Sequence, residues 1–479
     1  MEFAYRFRPL SRLLSDDGES GELEGLYIFF AAPEQLNDPL EGFKEVLFCG
    51  DSIVWENLIR HYIRCLIIEV FRFLSREPGE KPKWDIEVFA SAETNTDRMN
   101  FLNEEVYISL TSERVISEYI GCLTIGRKMR RWELINHLTT LHIFALDEIF
   151  EALHREKLYR PKPEYFSVHR DKRLSHIAKL VDLMSDANND KIYDELFRSV
   201  HRISDQYKLI SRLNASDYET REPWFHLLFD FPERYCLSLD KLIYPPWYTA
   251  CFMASCVDSS IWGTYGGNHR DVCLKFKVNK DKDGRNLELL APTGQGVQGI
   301  MHSFTRIPLH DVSYEKDFVE IDFFQSLGHL PRVQMMENWY LSKAGKLSEC
   351  AQKIFENEEL WRDQYWKNFY HAITVKLKAW DREQESRLIL SSTINDLSDP
   401  NYRKLKYEFD SLEGIIFGIN TSTDDKIRII RQVKILCYKY KRARFSFYQA
   451  RYNQDQRSIC YEPLPAIKVG YNEEDSEKG

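Results

Sequence analysis

The chain has 479 residues, 43% hydrophobic and 29% charged, with 14% aromatics and a formal net charge of −9. That length can bury a large core, in two structural units or in one domain with big insertions. The acidic balance excludes a molecule that traps DNA or RNA by its charge as a whole. Ten cysteines without a CxxC pair argue against a zinc ribbon or a disulfide framework, and thirteen histidines without an HExxH argue against a metalloprotease helix. No metal is expected.

The first residues, MEFAYRFRPL, lack the apolar run of a secretory signal. The most apolar helical run, HYIRCLIIEVFRFL at 61–74, is interrupted by Arg64, Glu69 and Arg72 and is too short and charged to span a bilayer. A cytoplasmic protein without membrane contact is the expectation. Residues 1–48 read as short β pieces. Tyr5, Arg6 and Arg8 lie on the first, with Arg6 and Arg8 on one face. Such arginines either hold phosphate through paired hydrogen bonds or simply face solvent. LYIFFAAPEQLNDPLEGF at 26–43 is a strand running into a turn, because Asn37 and Asp38 bond neighbouring backbone and Pro39 fixes the next φ. Either this is an Asx turn and no more, or Glu41 and the amides after Pro39 face a ligand.

Residues 51–215 read as mostly helical. Leu134, Leu138, Leu141, Ala145, Ile149 and Leu153 recur at three- and four-residue spacing, and 190–213 behaves alike behind an Asn-Asn-Asp start. From 234 the text is mixed. In SSIWGTYGGNHRDVCLKF, Trp262 and Tyr265 would share a helical face, the Gly-Gly pair breaks the turn, and His269 precedes a strand. The set forms either a wall for a planar ligand or core aromatics with a surface histidine. The spacing predicts one helix over 343–377.

WDREQESRLIL at 380–390 then places Glu383, Glu385 and Arg387 at alternate positions of an expected strand, so that all three share a face. Two adjacent carboxylates repel, and one pKa rises unless a cation offsets them. A helix from TSTDD through about 434 and aromatic strands at 434–452 follow. From Lys426 to Tyr452 there are nine Lys or Arg and no acid, interleaved with aromatics. Single-stranded nucleic acid binding uses that mixture, but a solvated helix face and a charged edge strand look the same. The tail at 453–479, ending YNEEDSEKG, is acidic and expected to be partly disordered. The predicted fold class is α+β. A mixed or antiparallel sheet domain is built from 1–48 and 234–452, with a large helical insertion at 51–215.

Five motifs in order carry a resemblance: YRFR at 5–8, LNDPLEG at 36–42, WGTYGGNHRDVCLKF at 262–276, WDREQESR at 380–387, and IIFGINTSTDDKIRII at 415–430. Together they resemble the prokaryotic domain-of-unknown-function family 2971. The match spans the two ends and leaves the helical insertion unaccounted for. Asp271 stands where that family has glycine. The order of elements is also similar, more loosely, to ADP-ribosyltransferases, whose late strand carries a Q/E-x-E pair like EQE at 383–385.

That resemblance implies an ADP-ribosyltransferase-like fold with NAD as substrate. Glu385 would steady the oxocarbenium-like ribose and its 2′-hydroxyl, and Glu383 would orient or deprotonate an acceptor. Arg6 or Arg8 would hold the diphosphate, Trp262 or Tyr265 would stack on nicotinamide, and Arg387 would keep both carboxylates ionised or lock the strand. The acceptor would be a protein or a nucleic acid, or water if neither is present, in a bacterial defence or toxin setting. Two other readings stay open. The chain is a non-catalytic module binding nucleic acid, through 426–452, or protein; or the ExExR pattern is a buried ion-pair network that sets strand register.

Overall fold

The fold is that of a computed structural model describing residues 2–14, 21–77, 85–91, 96–124, 126–158, 169–185, 190–215, 218–282, 284–297, 299–391 and 396–472. Most of the acidic end of the expected tail, 473–479, lies outside the described residues. Fourteen strands occur among them. They are β1 Glu2–Arg8, β2 Tyr27–Phe29, β3 Glu45–Phe48, β4 Met129–Arg130, β5 Tyr248–Met253, β6 Val272–Asp281 and β7 Gly284–Gly296, followed by β8 Gly299–Asp311, β9 Glu320–Asp322, β10 Glu385–Leu390, β11 Lys404–Tyr407, β12 Leu412–Phe417, β13 Ser446–Asn453 and β14 Ser458–Pro463. The chain divides into two compact units, one of Met1–Phe43, Pro246–Phe318 and Tyr370–Gly479, the other of Lys44–Pro245 and Val319–Phe369. The expected boundaries were 1–48 with 234–452 for the sheet and 51–215 for the helices.

The first unit is built on an eleven-stranded sheet in the order β14-β13-β12-β6-β1-β5-β10-β8-β7-β11-β2. Only β12 and β13 run parallel; the other neighbours are antiparallel. The far end of β6 also pairs with β7, so the six strands from β6 to β7 close on one another. Side-chain alternation sorts two cores across the sheet. Val272, Leu274 and Phe276 face one, together with Leu388, Leu390 and the helix residues Ile429, Val433 and Leu436. Tyr5, Phe7, Met253, Trp262 and Cys273 face the other. Glu385 and Arg387 project on this second side because Leu388 and Leu390 take the first.

The second unit is mostly helical, with the small sheet β4-β3-β9 at one place. Its helix Ser52–Leu74 starts on Asp51, whose carboxylate accepts from the amides of Ile53 and Val54. The helix Arg131–Arg155 is the one read from the 134–153 periodicity. Buried histidines pair with tyrosines here. His61 Nδ1 lies 2.8 Å from the Tyr235 hydroxyl, His142 Nδ1 2.7 Å from that of Tyr62, and His137 Nδ1 2.6 Å from that of Tyr119. The substantial helix content and the mixed sheet make this an α+β protein. No helix of the described residues is long and apolar enough to cross a membrane.

Three element expectations need correction. The tail expected from 453 onward holds the strand β14, Ser458–Pro463, paired with β13. The single helix at 343–377 is two helices, Glu349–Glu356 and Glu358–Ile373, broken at Asn357, whose side chain accepts from the Leu360 amide. After Ile373 the chain is extended, with Val375 bridged to Ser313. The helix expected to stop near 434 runs from Thr423 to Lys439, started by the Ser422 hydroxyl accepting from the Asp425 amide. The basic stretch 426–452 is therefore a helix, a turn and a strand. Phe445 and Phe447 are buried, and Arg442 and Arg451 face Asp410 and Glu462.

Candidate functional site

The expected strand carrying both glutamates begins only at Glu385. Residues Lys378–Glu383 form a short 3₁₀ turn, and Gln384 links it to β10 in the left-handed region at φ +43°. Glu383 thus reaches the site from a turn, and only Glu385 and Arg387 share a strand face. The register holds β10 between β5 and β8, with Glu385 opposite Met253 and Arg387 opposite Cys251 and His310.

Lys376 is the centre of the cluster, and the sequence motif does not contain it. Its ammonium lies 2.7 Å from Glu383, 2.9 Å from Glu385 and 3.1 Å from Glu41. Arg387, with no exposed surface, bonds Glu385 through Nε at 2.8 Å, pairs by charge with Glu41 through Nη2 at 2.6 Å, and donates to the Ile373 carbonyl. Three carboxylates therefore share two cations, and Arg387 serves Glu385 and Glu41 while Glu383 depends on Lys376. The Tyr265 hydroxyl donates to Glu383 at 2.5 Å, and the Glu385 amide donates to the Tyr314 hydroxyl at 2.9 Å.

The two glutamates are pushed apart electrostatically. Burial would raise both. For Glu385, Arg387 and Lys376 outweigh burial and hold the carboxyl down at about 2, so it stays ionised. For Glu383 burial wins over Lys376, and the carboxyl is raised, which makes it the more readily protonated of the pair. Burial alone would lower Lys376, but its three carboxylates raise it, so it is a fixed cation.

Tyr5, Arg6, Arg8 and Asn37 line a cavity of about 280 Å³, and Glu41, Tyr265, Glu383 and Glu385 line the same one. Its size is at the low end of small-molecule clefts. Asn37 hydrogen-bonds the Tyr265 phenol. The Tyr5 hydroxyl lies 2.9 Å from that of Tyr461. Neither strand arginine is exposed, contrary to the solvent-facing alternative. Arg6 donates to the carbonyls of Phe29 and Cys251, and burial lowers it to about 10, still cationic near neutrality. Arg8 is ion-paired with Glu22. The exposed guanidinium on that wall belongs to Arg12, which sequence reading passed over.

Asp38, Trp262, His269 and Arg387 do not line the cavity. Asp38 is the turn residue, its carboxylate accepting from the Leu40 amide. Trp262 is fully buried, donates from Nε1 to the Cys256 carbonyl and packs edge-on to Phe7. It is core, so the planar-ligand wall keeps Tyr265 alone. His269 stacks on Trp262 at 6.2 Å, with φ +65°. The left-handed positions of this turn are Gly267, Asn268 and His269, and Asp271 accepts from the Leu10 amide at 3.1 Å. The Asp271 carboxylate thereby ties the turn to the residues just after β1.

Among the described residues no group of three or more His, Cys, Asp or Glu is placed to hold a metal ion; the converging carboxylates here hold an ammonium and a guanidinium. Chemically the arrangement offers one ionised carboxylate, one protonatable carboxylate bonded to a phenol, and arginines at the wall. The chain matches no protein-family model, no curated protein and no solved structure.

Proposed function

We propose that the cavity binds a nucleotide of the NAD class and breaks the bond between its ribose and its base, on an ADP-ribosyltransferase-like frame of the kind the family 2971 resemblance implies. The observation that carries this reading is the split pair: Glu385 held near 2 and Glu383 raised, both on the wall of a cavity that also presents Tyr265 and cationic arginines. As the ribose C1′–N bond breaks, its electron pair leaves with neutral nicotinamide. The positive charge left on the ribose is stabilised by the fixed negative charge of Glu385 and the shared charge around Lys376. An acceptor hydroxyl, or water, then attacks C1′ and gives its proton to Glu383. Tyr265 orients Glu383 and offers its ring to the base. Arg12 is the arginine for the diphosphate, since Arg6 and Arg8 are committed to protein partners. A chain that consumes NAD in this way would serve as a toxin- or defence-type effector.

One observation favours a second reading. Glu385 already has its oxygens bonded to Arg387 and Lys376. A carboxylate so fully engaged suits a pocket that binds a ligand without reacting. Both readings are tested by nicotinamide release and by thermal shift with NAD, wild type beside Glu383→Gln, which keeps a hydrogen-bonding group of the same size. Release that falls at least tenfold in the variant while the thermal shift persists supports the enzyme. A thermal shift without release in either protein supports the binding module. Neither signal from folded protein overturns both.

A further inference from the structure

The helix Asp190–Leu213 is turned the wrong way for an ordinary surface helix. Two of its cations face the protein: Lys208 pairs with Glu233 at 2.7 Å and Arg212 with Asp230 at 2.5 Å. Among its described side chains Phe197 is the one large apolar group it buries, and the Phe197 carbonyl accepts from Asn136. Its apolar side faces outward. Leu196 is 41% exposed, Val200 43%, Ile203 67%, Tyr207 60% and Ile210 51%. An amphipathic helix normally does the reverse.

The outward stripe is spaced four, three, four and three residues, which is the spacing of a coiled-coil seam. Scattered exposed apolar residues need no explanation, but five in heptad register on one helix do. We propose that this stripe is a self-association surface and that its occupant is the same helix of a second copy of this chain, related by a two-fold axis. A heptad seam is complementary to another heptad seam, and an isologous pairing supplies one from the same sequence. With Leu213 on one flank, at 80% exposure, each copy offers on the order of 600 Å², enough for a small dimer interface of roughly 1,200 Å² in total. The charge around the stripe points the same way. The positions beside the seam, Ser199, Ser204, Gln206 and Ser211, are polar and uncharged, and Glu195, Arg198, Arg202 and Asp205 lie on the exposed side away from it, so the stripe suits a protein partner better than an anionic lipid surface, where a cationic rim is needed.

The test is the mass of the full chain in solution across a dilution series, by light scattering and sedimentation, for wild type and for Ile203→Glu with Tyr207→Glu. The expected result is twice the mass of one chain for wild type, dissociating on dilution, and a single-chain mass for the variant with unchanged circular dichroism and melting temperature. Because both positions are mostly exposed, folding should survive. The milder pair Ile203→Ser and Ile210→Ser keeps the test open if the glutamates disturb it. A wild type that stays monomeric throughout overturns the proposal, as does a dimer that persists in both variants. Pelleting of monomeric wild type, but not variant, with phosphatidylcholine–phosphatidylserine vesicles would also overturn it, in favour of a lipid surface.

Discussion

Arg387 has no exposed surface, pairs with two carboxylates and donates to a carbonyl, so its removal leaves Glu41 and Glu385 buried with Lys376 as their nearby cation. Arg387→Leu is expected to cost about 3–5 kcal/mol in urea unfolding. A loss below 1 kcal/mol would mean the cluster is well solvated. Glu385 also sets a pH window. Its folded carboxyl sits at about 2, against 4.5 when free. Its contribution to stability is complete above roughly pH 4.5 and drains away as pH falls toward 2. The sequence showed Glu383, Glu385, Arg387, Tyr265 and Glu41 because motif spacing exposed them. It hid Lys376, which stands among KLK after a helix and meets its carboxylates only through the bridge between Val375 and Ser313. It also overrated Trp262, whose aromatic spacing cannot tell a ligand wall from a packed core.

Gln384 decides where β10 starts. Its left-handed φ of +43° costs a non-glycine residue about 1–2 kcal/mol, and it lets Glu383 reach Lys376 from a turn while Glu385 does so from the strand. Gln384→Gly is therefore expected to stabilise the chain by roughly 0.5–1 kcal/mol after its entropic penalty. Gln384→Val should destabilise it, since a branched side chain fits that region worst. Melting temperatures of the two variants that move the same way would place the strand start elsewhere. Helices were readable where one apolar face repeats, as in Arg131–Arg155. Where the chain is interrupted by Asn357, or turns extended at Thr374 to pair with Ser313, the partner is distant in sequence and no local period marks it.

Three histidines buried in the helical unit remain neutral because burial lowers them: His61 and His137 to about 3, His142 to about 4. Unfolded histidine takes a proton near pH 6.5, so the stability they allow is complete above that value and falls as pH drops toward the folded values. By pH 5 the loss is about 2 kcal/mol for each. Urea unfolding at pH 7.5 and pH 5 should show the drop, and His61→Gln should shrink it. An unchanged midpoint at pH 5 would mean these rings are hydrated. This window lies above that of Glu385, so the two are separable by titration. The division of the chain was harder to read than its elements. Residues 319–369 join the helical unit, where β9 lies beside β3 and Asn57 bonds the Trp339 and Leu341 carbonyls. Such pairing across the sequence leaves no trace in composition.

A sheet of eleven strands has two margins where unpaired amides could recruit a foreign chain. Here one margin is β2, three residues long, and the other is β14, six residues ending at Pro463. A three-residue ledge offers little template for an added strand, and a proline ending the other side withholds an amide. The largest sheet of the protein is thereby guarded against edge-to-edge stacking and amyloid-like growth, and aggregation should begin only after the sheet itself opens.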